Sequence, residues 1–455
     1  MPTCLLTNPI SNGNLLAKYL SSRGVECFAL IEMDKVSKLP ALTEKKKSEL
    51  DVSLYVGIFC DVSELPAKPD LCFDAVIAGS ENGVFLADEM AQQYRVRGND
   101  PANTNWRRYK DTMHEALSRA GLAHIPSREV AQTDDLDGLF HSSADGAWIV
   151  KPRASAGAEG VVLCRSRAEL ESALRAAQWG KMSATWTTNE TFVVQPFLLG
   201  QEYVVDLVAF EGSYHAAAVC KYVRCSDLGD WGRAFVKKFL FAMPTTTALS
   251  QRLIDYARCA AKAVGISNGP VHVELIDTDD GPVMVEIASR MHGTSIPNLF
   301  AECYDNSLLE QIYACYFNDG EDMGDARLLN PAILTQVIAR SAGEFPGLTA
   351  GQAARLHHIE GLFNHDLRLD PQERFAATTD LMSVPMFATF SHESVDVVWK
   401  SLRQFEKLVS PLFDNLTPSE AQWADLERNY RDIVQCDGHA MKAPVAVGSW
   451  QEAGR

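Results

Sequence analysis

Two glutamates, two lysines and an arginine recur at spacings suited to handling a metal ion and a polyphosphate. The glutamates lie in VHVELIDTDDGPVMVEIASRMHGT, residues 271–294. VHVELI and VMVEIA alternate apolar and polar residues, and Asp277 to Pro282 carries the turn signal Gly281, so the pattern is a β-hairpin. A loop centred near Asp280 sets Glu274 opposite Glu286. Alternation then puts His272, Glu274, Glu286, Ala288 and Arg290 on one face. Val271, Val273, Leu275, Val283, Val285 and Ile287 take the core face. Facing carboxylates repel unless a cation lies between them. Mg²⁺ is commonly held by one or two carboxylates plus substrate phosphates, and Arg290 suits a phosphate or a carboxylate. The same pattern also describes an amphipathic hairpin with a solvated charged face; the register separates the two readings.

The lysines precede the hairpin. Lys110 opens a helix with apolar spacing at Met113, Leu117 and Leu122, where a lysine ordinarily faces solvent. Lys151 ends the strand of AWIVKPRASAGAEGVVLC, and Ala154 to Gly160 is a loop of small residues before the returning strand. Small residues let backbone N–H groups approach a polyphosphate, and lysine adds a point charge. The loop lacks the GxxxxGK[ST] pattern, and no GxGxxG occurs. TFVVQPFLLGQEYVVDLVAF reads as strand, proline-marked hinge and strand. Such a hinge suits an adenine edge, with Glu202 within reach of ribose hydroxyls. A surface glutamate on a plain strand pair is the alternative. Glu81 follows the strand FDAVIAG at a turn, a common ligand position in parallel sheets and equally an ordinary first-turn helix acid.

These residues need a scaffold. Thr3 to Thr7, a turn at Ser11 to Gly13, a helix ended by Gly24 and the strand VECFALI make a β-α-β opening, a small Rossmann-like layer. Lys38 to Leu50 reads as a polar surface helix. Amphipathic helices follow at LSQRLIDYARCAAKAVGI and SLLEQIYACYF. Beyond a loop near Gly320 comes a strand-rich tail with one helix, loosely ordered after Gln435. The class is α/β (α+β). With 455 residues and a net charge of −17, the chain is long enough for two or three domains. That charge also argues against nucleic acid or an anionic membrane as partner. Eleven cysteines are scattered without CxxC, which reads as reduced thiols of a cytoplasmic protein. Cys220 and Cys225 with a distant histidine are a zinc alternative. No apolar run reaches the ~18 residues of a membrane span.

Taken in order, Lys110, Lys151 with SAGAEG, QPFL with GQEY, the hairpin glutamates and EIASR resemble the ATP-grasp superfamily. Within it they resemble the carboxylate–amine ligases, and among these the bacterial L-amino-acid ligases that make dipeptides. The resemblance implies an ATP-grasp fold. Its parts are an N-terminal Rossmann-like domain (1–100), an ATP-grasp domain (101–320, lid subdomain about 140–197) and a strand-rich C-terminal subdomain with tail (321–455). It implies ATP and two Mg²⁺ ions, with Mn²⁺ as alternative. Lys110 and Lys151 would hold the α- and β-phosphates, and Ser155, Gly157 and Gly160 belong to the mobile loop over the γ-phosphate. Gln195, the Pro196 carbonyl and the Leu198 amide would meet adenine, and Glu202 the ribose. Glu274 and Glu286 would bind metal, and Arg290 would stabilise acyl phosphate and oxyanion. Glu81 would meet a substrate amine, and the backbone near Gly293 would line that pocket. Ala288 departs from the family's additional metal-binding asparagine, and Ser289 points to the opposite face.

The resemblance implies an amide bond between an amino acid and an amine, in the first reading a second L-amino acid, with a homodimer through the N-terminal layer as a family expectation. The alternatives are a non-amino-acid amine, an intramolecular amine, bicarbonate, a non-catalytic ATP sensor, or a plain α/β interaction scaffold.

Overall fold

The computed structural model describes residues 1–10, 12–36, 50–65, 72–134 and 146–435. The expected cap at Ser11, the polar stretch 38–49, the start of the expected lid at 140–145 and the tail after Gln435 lie outside the described residues.

Four short parallel strands open the chain: β1 (Thr3–Thr7), β2 (Glu26–Leu30), β3 (Gly57–Phe59) and β4 (Ala75–Ala78), in the order β3-β2-β1-β4. They read as near-continuous apolar runs, as parallel strands covered on both faces should. Gly24 ends the first helix (Gly13–Ser22) at φ +81°, a conformation glycine adopts without penalty. Asn12 caps that helix in position only; its amide donates instead to the His292 carbonyl oxygen, far along the chain.

A second sheet contains β5 (Arg128–Ala131), β6 (Trp148–Pro152), β7 (Val162–Cys164) and β8 (Thr191–Pro196), antiparallel in the order β5-β8-β6-β7. It packs its own small core against the helix Arg167–Ala176.

The third sheet has eight strands. Its strands are β9 (Gln201–Phe210), β10 (Ser213–Arg224), β11 (Lys237–Met243), β12 (Gly269–Thr278), β13 (Gly281–Ala288) and β14 (Ala332–Gln336). A two-stranded ribbon of β15 (Gly343–Glu344) and β17 (Arg374–Phe375) stands apart, and β16 (Leu362–Leu367) and β18 (Met386–Ser391) complete the large sheet. The order is β13-β12-β9-β10-β11-β14-β18-β16, so strands after residue 321 continue the sheet that carries the hairpin. The helix Ala248–Ala263, capped by the Thr247 hydroxyl, covers one face through Leu253, Ile254, Ala257 and Ala261.

Two expectations need correcting. The tail has a second long helix, Glu420–Gln435, beside Val395–Phe413. Its buried residues Trp423, Tyr430 and Ile433 fall at helical spacing, so the signal was present. The hairpin has a bulge: Glu274 pairs with Glu286, but Leu275 pairs with Met284. The extra residue is Val285, which turns into a cleft while Met284 takes the core position. Among the described residues, no helix is long and apolar enough to cross a membrane.

A buried ion pair ties β11 to the helix Val395–Phe413. Lys238 Nζ lies 2.8 Å from Glu406 Oε1 and donates to the Gln336 carbonyl at 2.8 Å. Thr335 and Asn415 complete the carboxylate's partners at 2.7 Å each. Removing one member strands the other charge in the core. Lys238→Ala should therefore cost about 3–5 kcal/mol of unfolding free energy, measured by denaturant titration. The Lys238→Met/Glu406→Leu double variant should cost clearly less, and equal losses would contradict this account.

Candidate active site

The four-stranded sheet β5-β8-β6-β7 and the large sheet face each other across an open cleft of about 990 Å³. Lys110, Lys151, Glu202, Glu274, Glu286 and Arg290 all line it. Ser155, Gly157, Gln195, Pro196 and Leu198 line it as well. Gly160, Glu81 and Gly293 are outside its lining.

Lys110 is buried, contrary to the usual behaviour of a lysine at a helix start. It continues the inward stripe of Met113 and Leu117, one turn and two turns on. Its Nζ donates to the Ser155 carbonyl at 2.7 Å and lies 3.2 Å from Glu286 Oε2. Lys151 is held on β6 opposite Val193 of β8. Burial, and then the charge of Lys110, pull its pKa down to about 7, while Glu286 and Glu274 pull the other way.

The loop after β6 is held at both ends of its turn. Leu381 donates its N–H to the Gly157 carbonyl at 3.0 Å, and the Glu159 carboxylate accepts from Ser155 Oγ and from the Ala184 N–H. Gly157 adopts φ +69°, and a Cβ there would come within 2.9 Å of the Leu381 side chain. Gly160 packs against the Pro152 ring instead.

At the hinge, the Gln195 amide donates to Ser127 Oγ at 2.6 Å, which leaves its side-chain oxygen for other partners. Glu202 is buried, 2.9 Å from Lys237 Nζ. Lys237 was not singled out from the sequence. It also lies 3.5 Å from Glu274, and burial, which lowers its pKa, is outweighed by the two carboxylates, so it stays charged. Its signal was a lysine pair opening the apolar run FLFAM, which reads as a strand end.

Glu274 and Glu286 occupy one rung, as the hairpin pattern predicts. Burial would raise the pKa of Glu274, but Lys237 and His272 hold it well below the usual range. Two carboxylates on one rung, each beside a lysine, fit a divalent cation that brings its own phosphate ligands. Ala288, two rungs on and fully buried, offers no side-chain oxygen. Ser289 lines a different cavity with Asp88 and Tyr316, so it does not substitute.

Arg290 Nε donates to Glu81 Oε2 at 2.6 Å. The other Glu81 oxygen meets Arg108, a residue unnoticed in the sequence. Burial would raise the Glu81 pKa, yet the two guanidiniums hold it at about 2. Gly83 lets the turn that carries Glu81 pack against β1, since a Cβ there would lie 2.2 Å from the Thr7 carbonyl oxygen. Behind Glu274, Asp206 on β9 accepts from His272 and His292. Burial would raise the Asp206 pKa, but the two rings hold it well below the carboxylate range, and burial pushes His292 down to about 4.

Residues 145–298 match the family model described as an ATP-grasp domain. Over 325 residues the chain is 25% identical to a dapdiamide A synthase of Enterobacter agglomerans, covering 68% of this chain and 73% of that protein. The crystal structure of an L-amino acid ligase from Bacillus licheniformis superposes with a TM-score of 0.69 at 14% identity, covering 90% of this chain and 98% of that one. A carboxyaminoimidazole ribonucleotide synthase from Aspergillus clavatus, complexed with ATP, gives 0.66 at 16% identity, covering 90% and 99%. Residues 145–298 thus match an ATP-grasp domain, and the fold of the chain is that of these ligase and synthase structures. The resemblance to carboxylate–amine ligases is borne out by the same findings.

Lys151 gives a pH signature. With a pKa of about 7 in the free cleft, it is mostly neutral at pH 8. A bound polyphosphate favours its charged form, so binding takes up a proton there and none at pH 6, where the lysine is already charged. Calorimetry of ATP binding in buffers of different ionisation heat should show close to one proton taken up at pH 8. Absence of buffer dependence at pH 8 would contradict a Lys151 that is neutral in the free cleft and charged beside phosphate.

Proposed function

We propose that this protein joins a carboxylate to an amine, forming an amide at the expense of ATP. The carboxylate comes from an amino acid, and the amine in the first instance from a second L-amino acid. The observation that carries the reading is the single cleft in which the Glu274–Glu286 rung, Lys110, Lys151 and Arg290 converge. A nucleotide sensor needs no such combination of metal-type carboxylates, phosphate cations and a guanidinium beyond them. The dapdiamide A synthase and the L-amino acid ligase support amide formation as the reaction.

In this reading Gln195, the Pro196 carbonyl and the Leu198 amide hold adenine, and Glu202 the ribose. Lys110 and Lys151 hold the α- and β-phosphates, while the loop through Ser155, Gly157 and Gly160 covers the γ-phosphate. Glu274 and Glu286 would hold Mg²⁺, two ions in the family pattern, which neutralises charge growing on the phosphates. The acid's carboxylate oxygen attacks the γ-phosphorus and ADP leaves, giving an acyl phosphate. The amine then attacks the acyl carbon, inorganic phosphate leaves, and the amine loses its proton. Arg290 stabilises the oxyanion of the second step. Glu81 fixes Arg290, and a substrate ammonium reaching it exchanges for Arg108; the backbone at Gly293 borders that pocket. A closed lid keeps water from the acyl phosphate. Scattered cysteines without disulfide spacing support a cytoplasmic setting.

Phosphate release from Mg²⁺-ATP, scanned over single amino acids and pairs with mass spectrometry of products, tests the reading. Release that requires two amino acids and yields their condensation mass is the expected result. ATP binding without release for any pair would remove the amino-acid acceptor. Glu286→Gln should reduce release by about a hundredfold or more with an unchanged circular dichroism spectrum, and an active variant would remove the metal assignment.

A further inference from the structure

Asp206 stands directly opposite His272 in the β9–β12 ladder and is 1% exposed. Its oxygens are shared between two rings: Oδ1 lies 2.9 Å from His272 Nδ1, and Oδ2 lies 2.8 Å from His292 Nδ1. Each ring therefore donates from Nδ1 and turns Nε2 away from the carboxylate. The Nε2 of His292 meets the Tyr222 hydroxyl at 3.1 Å. The Nε2 of His272 faces Glu274, 3.6 Å from its Oε1.

Three such groups within 4.8 Å of one another resemble a metal centre. The distances argue otherwise. A tetrahedral ion with bonds of about 2.0–2.1 Å holds its ligand atoms about 3.4 Å apart, whereas these contacts have hydrogen-bond lengths. One carboxylate oxygen per ring is likewise the pattern of two hydrogen bonds.

A buried carboxylate is costly compared with an apolar core of the same shape, and removing a partner from it costs more. What the cluster reaches explains its presence. One edge abuts Glu274. Another is His292 itself, in the turn between Arg290 and the helix Ile296–Cys303, whose carbonyl accepts from Asn12 of the N-terminal layer. Thr294 in that turn has φ +58°, an unusual conformation for a β-branched residue. Such a turn keeps its shape only when its surroundings impose it, and His292 is anchored through its ring and its carbonyl.

We propose that Asp206, His272 and His292 are positioning residues that hold Glu274 in the arrangement that receives metal-bound nucleotide and fix the Met291–Thr294 turn beside Arg290. The inference rests on the ATP–metal reading above. Outer partners of metal-binding groups typically govern metal affinity by ten- to a hundredfold, and Asp206 acts here through His272.

The experiment is calorimetric ADP binding to the full-length protein, with Mg²⁺ and with EDTA. Binding to the parent should tighten with Mg²⁺; a parent without that gain overturns the metal reading and this proposal with it. In Asp206→Asn the gain from Mg²⁺ should fall about tenfold or more, with EDTA affinity within about twofold of the parent. A folded D206N with the parent's gain overturns the proposal. So does equal weakening in both conditions, which marks a structural role alone. Should D206N not fold, His272→Gln and Tyr222→Phe decide: both should lower the gain, the first more, and a folded H272Q with the parent's gain overturns the assignment.

Discussion

Two carboxylates on one rung of a hairpin set the terms for everything around them. Directly opposed strand residues have Cβ atoms only about 4.5–5.5 Å apart, so the carboxylates of Glu274 and Glu286 are close enough to need cations beside them. Lys237 attends one and Lys110 the other. Lys151 and Arg290 complete a cationic wall around the same space. The chain as a whole carries −17, yet in this cleft Lys110, Lys151, Arg224, Lys237 and Arg290 balance Glu159, Glu202, Glu274 and Glu286. Burial, and then the charge of Lys110, depress the pKa of Lys151, and an anion beside it favours the charged form.

The hairpin was legible because strand periodicity and a turn signal fix which residues face one another. The Glu274–Glu286 rung follows from a loop centred near Asp280; the observed turn pairs Thr278 with Gly281, and the bulged residue restores the rung. The bulge at Val285 was not legible, since an extra residue in one strand depends on what the partner strand and the cleft demand. Lys151, Glu202 and Gly24 were readable from strand ends, hinge and helix stop. Lys110 was found by its place in a motif, although its burial was already implied by the stripe through Met113 and Leu117.

Other site residues were hidden for a different reason. Asp206 and His272 are far apart in the chain and meet only because β9 pairs with β12. Lys237 acquires its role from Glu202 and Glu274, on two other strands. Arg108 acquires its role from Glu81, on another element of the N-terminal half. Each looks like an ordinary charged residue in its own segment. Long-range pairing creates their chemistry, and no local pattern records it. The helix Glu420–Gln435 is the opposite case, a periodic signal overlooked within a tail judged by its strands.

The N-terminal layer is more than an appendage to the cleft. Its parallel strands direct their carboxyl ends, where ligands commonly gather in such sheets, toward the turn after β13. Asn12 holds the His292 carbonyl, Glu81 holds Arg290, and Asn82 reaches the Ala184 carbonyl at 3.4 Å. Ala184 in turn donates to Glu159, which braces the loop at Ser155. A continuous set of polar contacts thus runs from the first strands to the turn beside Arg290 and to the loop over the cleft. Polar contacts of this kind are directional, so the layer imposes orientation where apolar packing would impose only proximity. That is what a guanidinium needs if it is to meet charge developing at one atom of a reacting group, and it accounts for a glutamate spent on an arginine at the edge of the site.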